Sequence, residues 1–277
     1  MRGNRTITLC AALLMSLVLS GCFLSKGLFE RERIWDPAWF GRYESEGGMY
    51  VVLPDDPTGR TYLIGSFDNG ATKVDSYRAA LYAGWGDTLI LGSIALGKNE
   101  SRAAYTLLWP LGPNRFASDW PSCGADFAQR HNFQRESDAC TLSSLDALRT
   151  GLKAYEDEKA ASKADHQGNI DPQALEHRRD HPLSTIGIMA RASAVSDSEG
   201  VHGALTLLDV PPSSPAAAAG LKRGDVIFGV GNPRPAIGEE LLLRIAAAPP
   251  NSDVVISFFD GRTREKRQVT VKTVPLQ

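Results

Sequence analysis

The stretch Ser214-Pro-Ala-Ala-Ala-Ala-Gly-Leu-Lys-Arg-Gly-Asp-Val-Ile-Phe228 constrains this chain most. A proline at the first helical position costs no hydrogen bond and sets a helical φ, so a short helix is expected to open at Pro215. Alanines carry it, and Gly220 suits the C′ position because it tolerates positive φ. Leu221 is placed to pack back on the turn. Lys222 to Asp225 read as a tight turn, and Val226 to Val230 as a buried strand.

The flanks add elements of one compact unit. Upstream lie the loop Ser184-Thr-Ile-Gly-Ile-Met-Ala190 and an apolar strand over Ala204 to Val210. Downstream, Gly238 to Ala248 reads as a helix with Leu241, Leu242 and Ile245 on one side, stopped by Pro249-Pro250-Asn251. Val254 to Phe259, a turn at Asp260-Gly261, and Gln268 to Thr273 read as a closing hairpin.

The order S-P-A-x-x-A-G-L-x-x-G-D-x-I resembles the PDZ domains of bacterial envelope proteins, especially those of the high-temperature-requirement proteases, and the likeness covers 183–277. It implies an α+β, partly open barrel that binds protein or peptide C-termini. It also assigns Thr185, Ile186, Gly187, Ile188, Met189 and Ala190 to the carboxylate-binding loop and the strand that receives a peptide. The N–H groups of Ile186, Gly187 and Ile188 would hold the terminal carboxylate. Leu241, Leu242 and Ile245 are candidates for the opposite wall.

The N-terminus is expected to be a leader. Arg2 and Arg5 precede an apolar core, Ile7 to Leu19, too short to span a membrane comfortably. Leu19-Ser20-Gly21-Cys22 resembles a bacterial lipobox. That resemblance implies a signal peptide over 1–21 and a Cys22 carrying palmitate-type acyl chains. Residues 22–34 would then form a tether, with the protein on the outer membrane facing the periplasm. Once Cys10 leaves with the signal and Cys22 is acylated, Cys123 and Cys140 remain, an even pair in an oxidising compartment, which points to a disulfide.

Residues 35–140 are expected to form a β-rich domain. Short apolar runs (Met49 to Leu53, Thr61 to Gly65, Arg78 to Ala83, Thr88 to Leu96, Ala104 to Trp109, Arg115 to Ala117) are separated by Gly/Pro/Asn/Asp turns. This spacing predicts an antiparallel meander, sandwich or small barrel. All five tryptophans fall here. Residues 141–182 are read as a helical linker: Ser143 or Ser144 caps a helix carrying Leu145, Leu148, Leu152 and Tyr155 at helical spacing, and Asp171-Pro172 starts a second one. The fold class is therefore mainly β with helices.

Proteases that carry such PDZ domains usually have a Ser/His/Asp triad. The nucleophile signature G-x-S-x-G is absent. Asp87-Thr88 precedes an apolar strand, but Leu89 stands where a paired-carboxylate D-T-G turn needs glycine. His177 and His181, at i and i+4, could share a helix face, yet no third metal ligand is evident. The 30 basic and 32 acidic side chains form no basic stripe, so no nucleic-acid partner is expected. No cofactor is expected either. The reading is a lipid-anchored adaptor or scaffold that captures peptides and is not an enzyme. Two alternatives stay open: an envelope or secretion subunit with a closed groove, and a hydrolase with a site in the β domain.

Overall fold

The structure, a computed structural model, describes residues 23–45, 48–68, 74–98, 102–112, 114–137, 139–164, 175–197, 200–231 and 235–276. Cys22, the 1–21 segment and Asp171-Pro172 lie outside them. Strands dominate, and among the described residues no helix is long and apolar enough to cross a membrane.

The N-terminal part contains β1 (Phe23–Ser25), β2 (Arg33–Ile34), β3 (Gly41–Ser45), β4 (Gly48–Asp56), β5 (Thr61–Phe67), β6 (Val74–Ala83), β7 (Leu89–Ala95), β8 (Ala103–Gly112) and β9 (Arg115–Asp119). Then come helix α1 (Ala125–Arg130), β10 (Arg135–Glu136), β11 (Ala139–Thr141), helix α2 (Leu145–Ala164) and β12 (Leu175–His181). Antiparallel pairing runs from β3 through β4, β5, β6, β7 and β8 to β9; β9 also pairs with β12, and β12 with β3. The path returns to its start, an eight-strand ring.

Alternation along the strands gives the ring two apolar faces. Tyr43, Val52, Tyr62, Ala79, Leu81 and Leu108 form one buried cluster with Leu91 and Phe116. These residues come from all round the ring, so this face is its interior, and eight strands enclose a space that side chains can fill. The outer face is covered in two patches. Tyr82, Ile90, Tyr105 and Leu107 lie with Leu145, Leu148 and Leu152 of α2 and with Cys123 and Cys140, which are joined as a disulfide with Cα atoms 5.7 Å apart. Val51, Leu63, Phe67 and Val74 lie under a helix of the C-terminal part.

Two expectations about organisation are corrected. Residues 22–34 do not form a free tether: Phe23 is fully buried and β1 pairs with β8 and β11. Apolar Phe23-Leu24 gains more from the core than from a spacer position. Residues 141–182 are not a helical linker between domains, because α2 packs on the ring and β12 completes it. His177 and His181 sit on a strand. The polar run Leu175-Glu-His-Arg-Arg-Asp-His181 carries no strand pattern, but the open edges of β3 and β9 supply backbone partners on both sides.

The C-terminal part contains β13 (Ser184–Thr185), β14 (Met189–Asp197), β15 (Gly200–Asp209), α3 (Pro215–Ala218), β16 (Val226–Val230), α4 (Glu239–Ala247), β17 (Asp253–Phe259), β18 (Lys266–Lys272) and β19 (Val274–Pro275). One sheet runs β14-β15-β16-β17-β18, and β13 pairs separately with β19. Ser214 caps α3 by accepting the Ala217 N–H at 3.1 Å, and Leu221 is buried behind it. The β17–β18 connection is longer than a two-residue turn: Asp260 accepts the amides of Arg262 and Thr263 and organises a wider loop.

Candidate peptide-binding site

The loop between β13 and β14 is held at both ends. Ser184-Thr185 pairs with Val274-Pro275, and the Leu276 N–H donates to the Leu183 carbonyl at 2.7 Å. The Ile186 carbonyl accepts the Ala216 N–H at 3.0 Å, tying the loop to the first turn of α3. Gly187 has φ +71°, and a Cβ there would stand 2.7 Å from the Ser214 Cβ, so both conformation and space demand glycine. Its N–H donates to the Thr185 hydroxyl oxygen at 3.0 Å.

β14 starts directly after this loop. It pairs with β15 on one side; among the described residues its other edge has no partner strand. The two outer strands of the sheet differ in composition. β18 carries Lys266, Arg267 and Lys272, the kind of charged edge that discourages pairing. From Met189 to Ser196, β14 carries a single charge, Arg191, among small residues, and presents an edge that a further strand can join.

Ile186, Leu241 and Ile245 belong to one buried cluster, and Ile188, Ala190 and Leu242 are half-buried against it. Met189 turns outward and is 60% exposed. Thr185 contributes its hydroxyl to the loop. The loop, the start of β14 and one face of α4 thus share one apolar cluster, in which Ile186, Leu241 and Ile245 are buried and Ile188, Ala190 and Leu242 are partly accessible.

Three contributors were missed in the sequence. Gly203 and Gly238 let the start of α4 lie on the sheet. A Cβ on Gly203 would meet the Ile237 carbonyl carbon at 2.1 Å, and one on Gly238 would meet the Ala204 oxygen at 2.2 Å. The third is Leu243, fully buried on the opposite side of α4 from Leu241 and packed with Val51, Leu63, Phe67 and Val74. The signal was present: Leu243, Ala246 and Ala247 repeat at i, i+3, i+4 and give α4 a second apolar stripe.

No family model matches this sequence, and no curated protein matches it. Its structural neighbours include proteases and a PDZ domain. A photosystem II D1 C-terminal processing protease is 16% identical with a TM-score of 0.29; the match covers 55% of this chain and 37% of that one. An HtrA-type protease solved with a decapeptide is 13% identical, with a TM-score of 0.31 and coverage of 83% and 82%. A PDZ domain solved in solution is 19% identical, with a TM-score of 0.23, covering 35% of this chain and all of that one. All are likenesses at low identity.

The side chains considered for catalysis have structural surroundings. Asp87 is exposed in the turn closed by the Gly84 and Thr88 backbone bonds. The one histidine within residues 35–140, His131, has its Nε2 2.7 Å from Glu158 Oε1, and the Arg130 guanidinium, with His131 second, holds the Glu158 carboxyl below its ordinary value. Among the described residues no group of three His, Cys, Asp or Glu side chains could hold a metal ion.

Proposed function

We propose that this protein captures extended peptides or protein C-termini by adding them as a strand to the free edge of β14. The observation that carries this reading is the small-residue, unpaired edge of β14 leaving a loop shaped by Gly187. The terminal carboxylate sits on the amides of Ile186, Gly187 and Ile188, and the last side chain packs on the half-buried Ile188, Ala190 and Leu242, over the buried Ile186 and Ile245. Main-chain pairing supplies affinity, and the apolar surface supplies selectivity for an apolar last residue. The protein acts as an adaptor, without chemistry of its own. Binding of C-terminal peptide libraries with free and with amidated ends tests this. If neither binds, the closed-groove subunit reading replaces it.

Lipidation at Cys22, which lies outside the described residues, completes the reading: acyl chains there would hold the protein on the periplasmic side of the outer membrane. Phe23 is in the core, so such an anchor joins the fold with no spacer and keeps the ring against the lipid surface.

A further inference from the structure

We infer that the N-terminal ring positions α4 from behind and so sets how tightly the β14–α4 site holds a peptide, an inference that rests on the peptide-capture reading. α4 is apolar on two sides. Leu241 and Ile245 enter the core of the C-terminal sheet, whereas Leu243 and Ala246 enter the cluster of Val51, Leu63, Phe67 and Val74 on the outer face of the ring. The helix is therefore held between two layers.

The fit on the ring side is close. A Cβ on Gly65 of β5 would lie 2.9 Å from Leu243 Cδ1 and 3.0 Å from Cδ2, so the leucine occupies the space that this glycine leaves open. At the C-terminal end of α4, Arg42 Nη1 of β3 donates to the Ala247 carbonyl at 3.3 Å, satisfying a group that the helix cannot pair itself. The same guanidinium is fixed by Glu44 at 2.7 Å. At the other end, Arg78 of β6, bonded to Asp55 at 2.6 Å, is near enough to Glu239 to feel its charge. Apolar packing at the centre and the Arg42–Ala247 hydrogen bond at the C-terminal end hold the helix against the ring.

A wall fixed before binding spares the ordering cost that a mobile one would add, so loosening it should weaken capture. By linkage, a bound peptide should in turn tighten α4 on the ring. Leu243, Gly65 and Arg42 are positioning residues in this scheme, since none lies on the β14 side of the helix.

The test uses the full protein and a fluorescein-labelled peptide library ending in Val, Leu, Ile or Phe, with hydrogen exchange of amides 239–247 as a second readout. Leu243→Ala should raise α4 exchange and lower affinity about fivefold or more, while the ratio between free and amidated peptides stays as in the wild type. Arg42→Gln, which leaves the apolar contact intact, should do the same to a smaller degree and covers the case of a Leu243 variant that does not fold. A wild type that binds peptides, with both variants binding equally well or α4 exchange unchanged, overturns the inference alone. A wild type that binds no library member overturns the peptide-capture reading and this inference with it.

Discussion

The Gly187 amide donates to the hydroxyl oxygen of Thr185, 3.0 Å away. One of the three N–H groups proposed to hold a ligand carboxylate therefore already has an acceptor within its own loop. A carboxylate would displace it, exchanging a neutral acceptor for a charged and stronger one. Thr185→Val keeps the side-chain shape and removes the competitor, so affinity for free C-termini should rise about two- to tenfold, the worth of one neutral hydrogen bond. Thr185→Ser should bind like the wild type. Weaker binding by the valine variant in fluorescence titration would show instead that the hydroxyl builds the loop.

Cys123 and Cys140 are fully buried beside Phe23 and Leu148, at a sequence separation of 17. Closing a loop of that size contributes about 3 kcal/mol on the chain-entropy model. The Cys123→Ser, Cys140→Ser double variant should lose about that much. The loss should fall on the ring transition, with Tyr82 and Tyr105 nearby as reporters, before the C-terminal sheet. Equal denaturation midpoints for the wild type and the variant would contradict this.

Inside the ring, burial pushes the Tyr43 and Tyr77 phenols up to about 12 from an ordinary 10.0. Arg179 partly opposes the shift at Tyr43, and Asp75 adds to it at Tyr77. Both values are raised in the folded state, so the associated stability is complete below pH 10 and is lost as pH climbs toward 12, where the unfolded chain releases these protons first. Denaturant midpoints should fall across that window. Tyr43→Phe should make the fall shallower, and an unchanged slope would refute a buried neutral phenol.

How much was legible depended on how local the signal was. The Ser214 to Phe228 stretch is written in caps, turns and glycine positions that act within a few residues, and its elements lie where the sequence puts them. The apolar alternation of β4 to β8 is local in the same sense. β12 was not legible, because it is held by backbone pairing to two strands distant in sequence. The burial of Phe23 was hidden behind the cleavage pattern that precedes it. At the site, the loop residues Ile186, Gly187 and Ile188 could be named from one motif. Leu243 could not be given its partner: a helix shows that it has two apolar stripes but not which layer each will meet. Gly65 and Gly203 read as ordinary strand or loop glycines, and Gly238 as the start of a helix, until what packs against them is known.

The anchoring proposal makes a sharp demand on the N-terminus. If Cys22 carries the acyl chains, Cys22→Ser should leave the protein unprocessed or released from membranes. With Phe23 in the core and Arg33-Ile34 paired to Leu81-Tyr82, native-state proteolysis between residues 23 and 34 should be slow, unlike cleavage in a free tether. Mass spectrometry of the membrane fraction should find an acylated Cys22. An unmodified start elsewhere would remove the proposal.

Peptide capture through the Gly187 loop is tested most directly by titrating one peptide series, ending in an apolar residue, against the purified protein with the terminal carboxylate free and amidated. Amidation removes the charge that the loop amides would hold, and a hydrogen bond to a charged group is worth about 1.5–3 kcal/mol. Free peptides should therefore bind about tenfold to a hundredfold more tightly than their amides. Equal affinity of the two forms, or no binding by either, would contradict the account.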